Sequence, residues 1–304
     1  MARTLDTTPA VEPKTTGGRP PRRGFRQTAG RQHHAGPLTY VLLVIATVVS
    51  LFPLYWNVVA ASHTGDRVVQ APAPLLPGSR LLDNLSFAWD QVDMGEALIN
   101  TTVVASLVAA STVLFSTLAG FAFAKLPFKG RGMLLSLVVA TMTIPPQLSV
   151  IPLYQIITDL GWFDQLQSVV LPSLVAAFGV FFMRQFLVEA LPVELVEAAR
   201  MDGAHSLRII WHVVFPVARP AMAVLGMLVF VQSWNDFFWP FIALTPDGSP
   251  TLQVALAGLG AGNHTVDHAI VLTGALISTV PLLLVFAFLG KHIVGGITAG
   301  AVKS

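Results

Sequence analysis

Apolar and polar positions along this chain fall into long blocks rather than alternating. Charge-free stretches run over 37–62, 97–124, 132–158, 165–183, 220–235 and 268–290. A helix crossing a hydrocarbon layer of about 30 Å needs about 20 mostly apolar residues. The fourth block can continue to 187, and the fifth can extend on both sides if Asp236 is tolerated. The pattern therefore predicts six membrane spans, at 37–62, 97–124, 132–158, 165–187, 214–244 and 268–290. None of the blocks has the two-residue period of an outer-membrane barrel.

Composition supports that picture. Of 304 residues 54% are hydrophobic and 11% charged, and mean hydropathy is +0.68. Soluble domains carry roughly 25% charged residues, so an ordinary water-soluble globule is excluded. The net charge of +2 gains meaning only by position. Sixteen of the 18 basic residues fall before the first block, between the second and third, between the fourth and fifth, or after the sixth. The opposite connections hold only Arg67 and Arg80, against acids such as Asp66, Asp83, Asp90, Asp93, Glu96, Asp159, Asp164, Asp247 and Asp267. The positive-inside rule then predicts both termini in the cytoplasm.

Residues 1–36 are rich in Pro, Gly, Thr and Arg and read as a disordered basic cytoplasmic tail beside anionic lipid. Arg22-Arg23-Gly24-Phe25 has only the superficial form of a twin-arginine signal. Residues 63–96 contain Ala71-Pro72-Ala73-Pro74 and Leu76-Pro77-Gly78 and read as an extended, turn-rich connection. Thr141, Thr143, Pro145, Pro146 and Gln147 interrupt the third span. A Pro-Pro step frees backbone groups that must face protein or a cavity, so this break is a candidate to flank a pathway. Asn100, Thr101, Thr102, Ser106, Ser111, Ser116, Thr117 and Gly120 read as helix-packing positions.

The chemistry of hydrolysis is missing from the sequence. It contains no Gly-x-x-x-x-Gly-Lys-Ser/Thr phosphate loop, no His-Glu-x-x-His pair, no nucleophile elbow and no Cys. The expectation is a chain that neither hydrolyses ATP nor holds a metal or cofactor, and has no nucleic-acid partner.

The connection over 192–215 carries more information. Pro192 suits a helix N-terminus, Glu194 and Glu197 suit the positive end of its dipole, and Gly203 suits the left-handed residue that ends it. A second short helix is expected from His205 to Val214, stopped by Pro216. Leu195, Ala198, Ala199 and Asp202 share one small, shallow face.

Glu197-Ala198-Ala199, Asp202-Gly203-Ala204, Pro216 and Pro220 together resemble the EAA loop of binding-protein-dependent ABC importer membrane subunits. Trp234-Asn235-Asp236-Phe237 and the stretch Ile293-Val294-Gly295-Gly296-Ile297-Thr298-Ala299-Gly300-Ala301-Val302-Lys303 are similar to the six-span subunit of maltose-type carbohydrate permeases. The resemblance covers about 37–304, with Phe215 standing where the family usually has Leu. It implies an all-α membrane protein of the type I ABC importer permease fold, six transmembrane helices and a cytoplasmic coupling helix. Glu197, Ala198, Ala199, Arg200, Asp202 and Gly203 would form that coupling element, seated on one of two ATPase subunits that carry ATP and Mg. The other implied partners are a second homologous permease subunit, an extracytoplasmic sugar-binding protein, the sugar and membrane lipid.

Asp236 admits two readings. Seventeen residues beyond Arg219, it stands about 25 Å along a helix. It is then either an interfacial acid in an aromatic belt of Trp234, Phe237, Phe238 and Trp239, or a pathway residue acting with Trp234, Asn235 and Phe237 on a sugar. The connection from Thr245 to Asp267 includes Gly258, Gly260 and Gly262 and is expected to be flexible. It either reaches into the docked binding protein or is a plain connector. Two alternative functions remain at this level: a permease for glycerol phosphate or another polyol derivative, and an ion-driven secondary transporter.

Overall fold

The computed structural model describes residues 36–261 and 266–301, and among these every regular element is helical. The predicted tail up to Ala35 lies outside the described residues, as does Gly262. In order, the elements are α1 (Pro37–Ala61), α2 (Gly65–Val69), α3 (Leu81–Gln91), α4 (Met94–Lys125), α5 (Arg131–Thr141) and α6 (Val150–Asp159). There follow α7 (Gln167–Val170), α8 (Ala177–Ala190), α9 (Val193–Met201), α10 (Ser206–Ile209), α11 (Phe215–Trp234), α12 (Phe238–Ala243), α13 (Leu252–Ala261) and α14 (His268–Ala301). Among the described residues five helical runs are long and apolar enough to cross a membrane, or six if the bent pair α5–α6 counts as one span.

The chain divides into two compact units, 1–50 and 51–304. The first contributes the charge-free opening turns of α1, where Thr47 Oγ1 donates to the Leu43 carbonyl at 2.8 Å. The second holds the core and every functional candidate discussed below.

At the centre of that second unit stands α4, 32 residues and about 48 Å long at 1.5 Å per residue. Asp93 caps it by accepting from the Glu96 N–H at 3.1 Å, which satisfies one of the orphan amides of the first turn. On one side α4 packs along α8, on another along α11. The crossing with α8 is made of small residues. Thr112, Ser116 and Gly120 recur every four positions, and a Cβ on Gly120 would stand 2.8 Å from the Arg184 backbone nitrogen. A Cβ on Gly179 would meet the Ser116 hydroxyl. Close backbone approach of this kind is how apolar helices associate where burial from water supplies no drive.

Three predicted spans depart from straight rods; the fourth is broken at Pro172 between α7 and α8. The third is α5 and α6, bent by 90°. Thr141 and Thr143 hydroxyls donate back to the Val138 and Ala140 carbonyls at 2.7 Å each, and Pro145 and Pro146 have no N–H to continue the ladder. A single 3₁₀ turn over Pro146–Ser149 then starts α6. The fifth does not run to Leu244 without interruption: α11 ends at Trp234 and α12 begins at Phe238, with Asp236 in the gap.

Two connections expected as irregular contain helix. Within 63–96, α3 is held by Asn84, whose buried amide donates to the Ala61 and His63 carbonyls at 2.8 Å. Within Thr245–Asp267, α13 is held against α4: Asn100 donates to the Pro250 carbonyl at 3.1 Å, and Thr101 Oγ1 accepts from the Leu252 N–H at 2.7 Å. The packing positions Asn100 and Thr101 therefore order a segment that its glycines suggest is loose.

Candidate functional site

The α9 turn is built as its sequence suggests at both ends. Pro192 stands at the N-cap, with Glu194 in the first turn. At the C-terminus Gly203 has φ +76°. Its N–H donates to the Arg200 carbonyl at 3.0 Å, and the Ala204 N–H to the Ala199 carbonyl at 2.9 Å. These paired bonds around a left-handed residue are a Schellman motif, which non-glycine side chains resist. Val196 is 2% exposed and anchors the helix in the core, while Glu197, Ala198, Arg200 and Asp202 face outward and Ala199 is half-buried.

Pro216 does not stop the next helix. From Ser206 to Trp234 the backbone is one helical run of 29 residues. A π-helical turn over Ile210–Val214 precedes Pro216. Proline cannot donate to the residue four back, and its ring crowds that carbonyl. Widening the preceding turn accommodates the ring without ending the helix. The exposed α9 turn is thereby joined by a stiff lever of about 40 Å to the gap that contains Asp236.

At that far end lies a cleft of about 600 Å³. Three helix interruptions converge on it. The Pro146–Val150 break supplies Gln147 and Ser149, the Pro172 break before α8 supplies Ser173 and Ala176, and the α11–α12 break supplies Asp236, Phe238 and Trp239. Val229, Gln232 and Ser233 line it from one face of α11, spaced i, i+3 and i+4, and Asp236 lines it from the gap beyond Trp234. Opposite them, Thr112 of α4 donates to the Ser173 and Leu174 carbonyls, each at 3.4 Å. Carbonyls left without helical partners at a proline break find a side-chain donor here, as apolar surroundings demand.

Of the four residues expected to act together, only Asp236 lines this cleft. Trp234 is 2% exposed, stacks on Phe230 and donates from Nε1 to the Ser278 carbonyl at 3.2 Å, so it belongs to the core and not to an aromatic belt. Asn235 turns its amide back to the Val231 carbonyl at 2.8 Å, and Phe237 packs on Phe241. Gln232 and Ser233 were not foreseen; their signal was the helical spacing back from Asp236. Gln147 belongs to the Pro-Pro break expected to flank a pathway, and it lines the cleft.

Side-chain bonds from Trp239 and Asp164 tie together elements beside the cleft. Trp239 Nε1 donates to the Ser168 carbonyl at 2.9 Å, which ties α12 to α7. Asp164 accepts from the Thr245 N–H at 2.8 Å and from Thr245 Oγ1 at 2.9 Å. Farther away, Gly258 and Gly260 lie within helix α13 and not in a flexible loop.

A sequence profile of the binding-protein-dependent transport system inner membrane components matches residues 113–298, which include the α9 turn and the whole α10–α12 run. The chain belongs to that family. It is 30% identical to the lactose transport system permease protein of Rhizobium radiobacter over 87% of this chain and 95% of that one. It is 31% identical to the arabinooligosaccharides transport system permease protein of Halalkalibacterium halodurans, over 84% and 92%. Identity to the sn-glycerol-3-phosphate transport system permease protein of Yersinia pestis is 33%, over 72% and 79%. Among solved structures, a chain of a bacterial ABC transporter involved in the import of the acidic polysaccharide alginate superposes with a TM-score of 0.71 at 25% identity, covering 84% of this chain and 94% of that one. An inner membrane component of this family is a multi-pass transport subunit and not itself an enzyme. The ion-driven secondary transporter is thereby set aside.

Proposed function

We propose that this inner membrane component is the six-span permease subunit of a carbohydrate ABC importer, with α9 as its coupling helix and the Asp236 cleft as part of its sugar path. The observation that carries this reading is the single helical run from Ser206, just after the Gly203 turn, to Trp234 at the edge of the cleft. A push on the exposed face of α9 passes through the short turn at 202–205 into this run and along it toward the cleft. Glu197 and Arg200 supply charge for a partner's groove, Ala198 keeps the contact shallow, and the Gly203 turn keeps α9 at a fixed angle to the lever. ATP and Mg act on two separate ATPase subunits, whose closure rocks the lever between inward- and outward-open states. A second homologous permease and an extracytoplasmic binding protein complete the machine, and both termini of this chain face the cytoplasm.

Relatives that carry lactose or arabinooligosaccharides support a sugar as cargo. A polyol phosphate is the second reading, favoured by the glycerol phosphate relative. The test replaces Glu197 by Lys and, separately, Gly203 by Pro, and measures sugar uptake and ATPase copurification together. Both positions are exposed, so the subunit should insert normally while uptake is abolished. Normal uptake with either variant would overturn the coupling assignment.

A further inference from the structure

The relatives' cargoes differ in charge, and the lining of the cleft bears on which kind this chain accepts. Asp236 is half-buried at the head of α12. Its surroundings come from α4, the α5–α6 break, the α7–α8 break and α11, and each of these contributes neutral groups to the cleft. Among the described lining residues none is Lys, Arg or His. Recognition of a phosphate or a carboxylate calls for a guanidinium or an ammonium, and the cleft offers neither. It offers the amides of Gln147 and Gln232, which both donate and accept, the hydroxyls of Ser149 and Ser233, and the ring faces of Phe238 and Trp239. Alternating donors and acceptors beside an aromatic plane match a solute with many hydroxyls and an apolar C–H face.

We propose that the Asp236 carboxylate makes this cleft a charge filter, admitting uncharged polyhydroxylated solutes and opposing anionic ones. The proposal rests on the cleft being part of the transport path and names the solute class that path accepts. A single negative charge in a narrow water-filled site is felt across its width, because the low-dielectric walls focus its field into the confined space. A neutral sugar loses nothing to this field and can donate hydroxyl protons to the carboxylate. A solute bearing phosphate or uronate meets like charge with no counter-ion to offset it.

The test exploits the absence of cysteine in this chain. Gln232→Cys is introduced into the complete transporter in native membranes. The thiol's reaction rate is measured with two methanethiosulfonates of matched size, one bearing trimethylammonium and the other sulfonate. Each rate is normalised to that of a free thiol in solution, and modification is read on this chain alone. With Asp236 present the cationic reagent should be favoured on the order of tenfold. Asp236→Asn should bring the normalised ratio close to one, and Asp236→Glu should keep it. An unchanged ratio after Asp236→Asn would overturn the filter. No reaction at either Gln232→Cys or Ser233→Cys would overturn the cleft as a water-accessible path. Neither measurement depends on ATP or on the α9 turn, so failure of the coupling assignment in uptake assays is a separate result.

Discussion

One face of α4 runs through two neighbourhoods with opposite design. Toward its C-terminal half, Ser116 and Gly120 meet Gly179 and Met183 of α8 so closely that a single added methyl would collide with backbone. One turn earlier, Thr112 borders the cleft, where the facing elements are interrupted at Pro146, at Pro172 and after Trp234. The crossing has regular helices, small side chains and no room. The cleft has broken helices, amides, hydroxyls and one carboxylate around about 600 Å³. On the same rod the tight crossing leaves no room for an added methyl, while the helix breaks leave a polar opening.

Substitutions can separate the two. Gly120→Leu should have the largest effect. Overpacking a tight interior costs about 1–3 kcal/mol even where side chains can yield, and here the obstacle is the Arg184 backbone. Accumulation of folded subunit and transport should fall together in a detergent thermal-shift and uptake comparison. Transport loss with normal thermal stability would mean that the crossing is not the junction described. Asn100→Ala should come next, because it leaves the buried Pro250 carbonyl without its donor, at about 1–3 kcal/mol. A lowered midpoint for thermal unfolding is expected, together with faster proteolysis at 245–261.

In the cleft, Gln232→Ala should change stability little, since this exposed side chain borders open space. Uptake should decline several-fold, seen as a raised KM for the sugar with subunit abundance unchanged. Equal loss of stability would erase the contrast with the crossing. The smallest effect belongs to Gly258→Ala. A Cβ there meets only Val92 Cγ1 at 3.8 Å, an ordinary contact. Within a helix the change should stabilise by about 0.5–1 kcal/mol, raising the unfolding temperature slightly. A lowered temperature would contradict the helical assignment of α13 and restore the expectation of a flexible loop.

Much of this architecture is local and was legible residue by residue. Runs of 20 or more apolar residues can satisfy their backbone groups only as helices in a lipid-like surrounding, so the number and approximate place of the spans follow from hydropathy. Gly203 announces a left-handed turn because other residues are penalised there, and Pro145-Pro146 announces a break because two consecutive donors are missing. Other features depended on neighbours distant in the chain. The Gly-rich stretch after Leu252 looked mobile, yet Asn100 and Thr101, some 150 residues earlier, order its start. Trp234 and Asp236 looked equivalent in sequence, but one turns into the core toward Ser278 and the other into the cleft. Local propensity and hydropathy act through the chain's own next few residues, and there the sequence by itself determined the outcome. Which polar group meets an orphaned carbonyl, and which breaks gather around one space, depends on how helices pack across the bundle, and only the tertiary structure decided that.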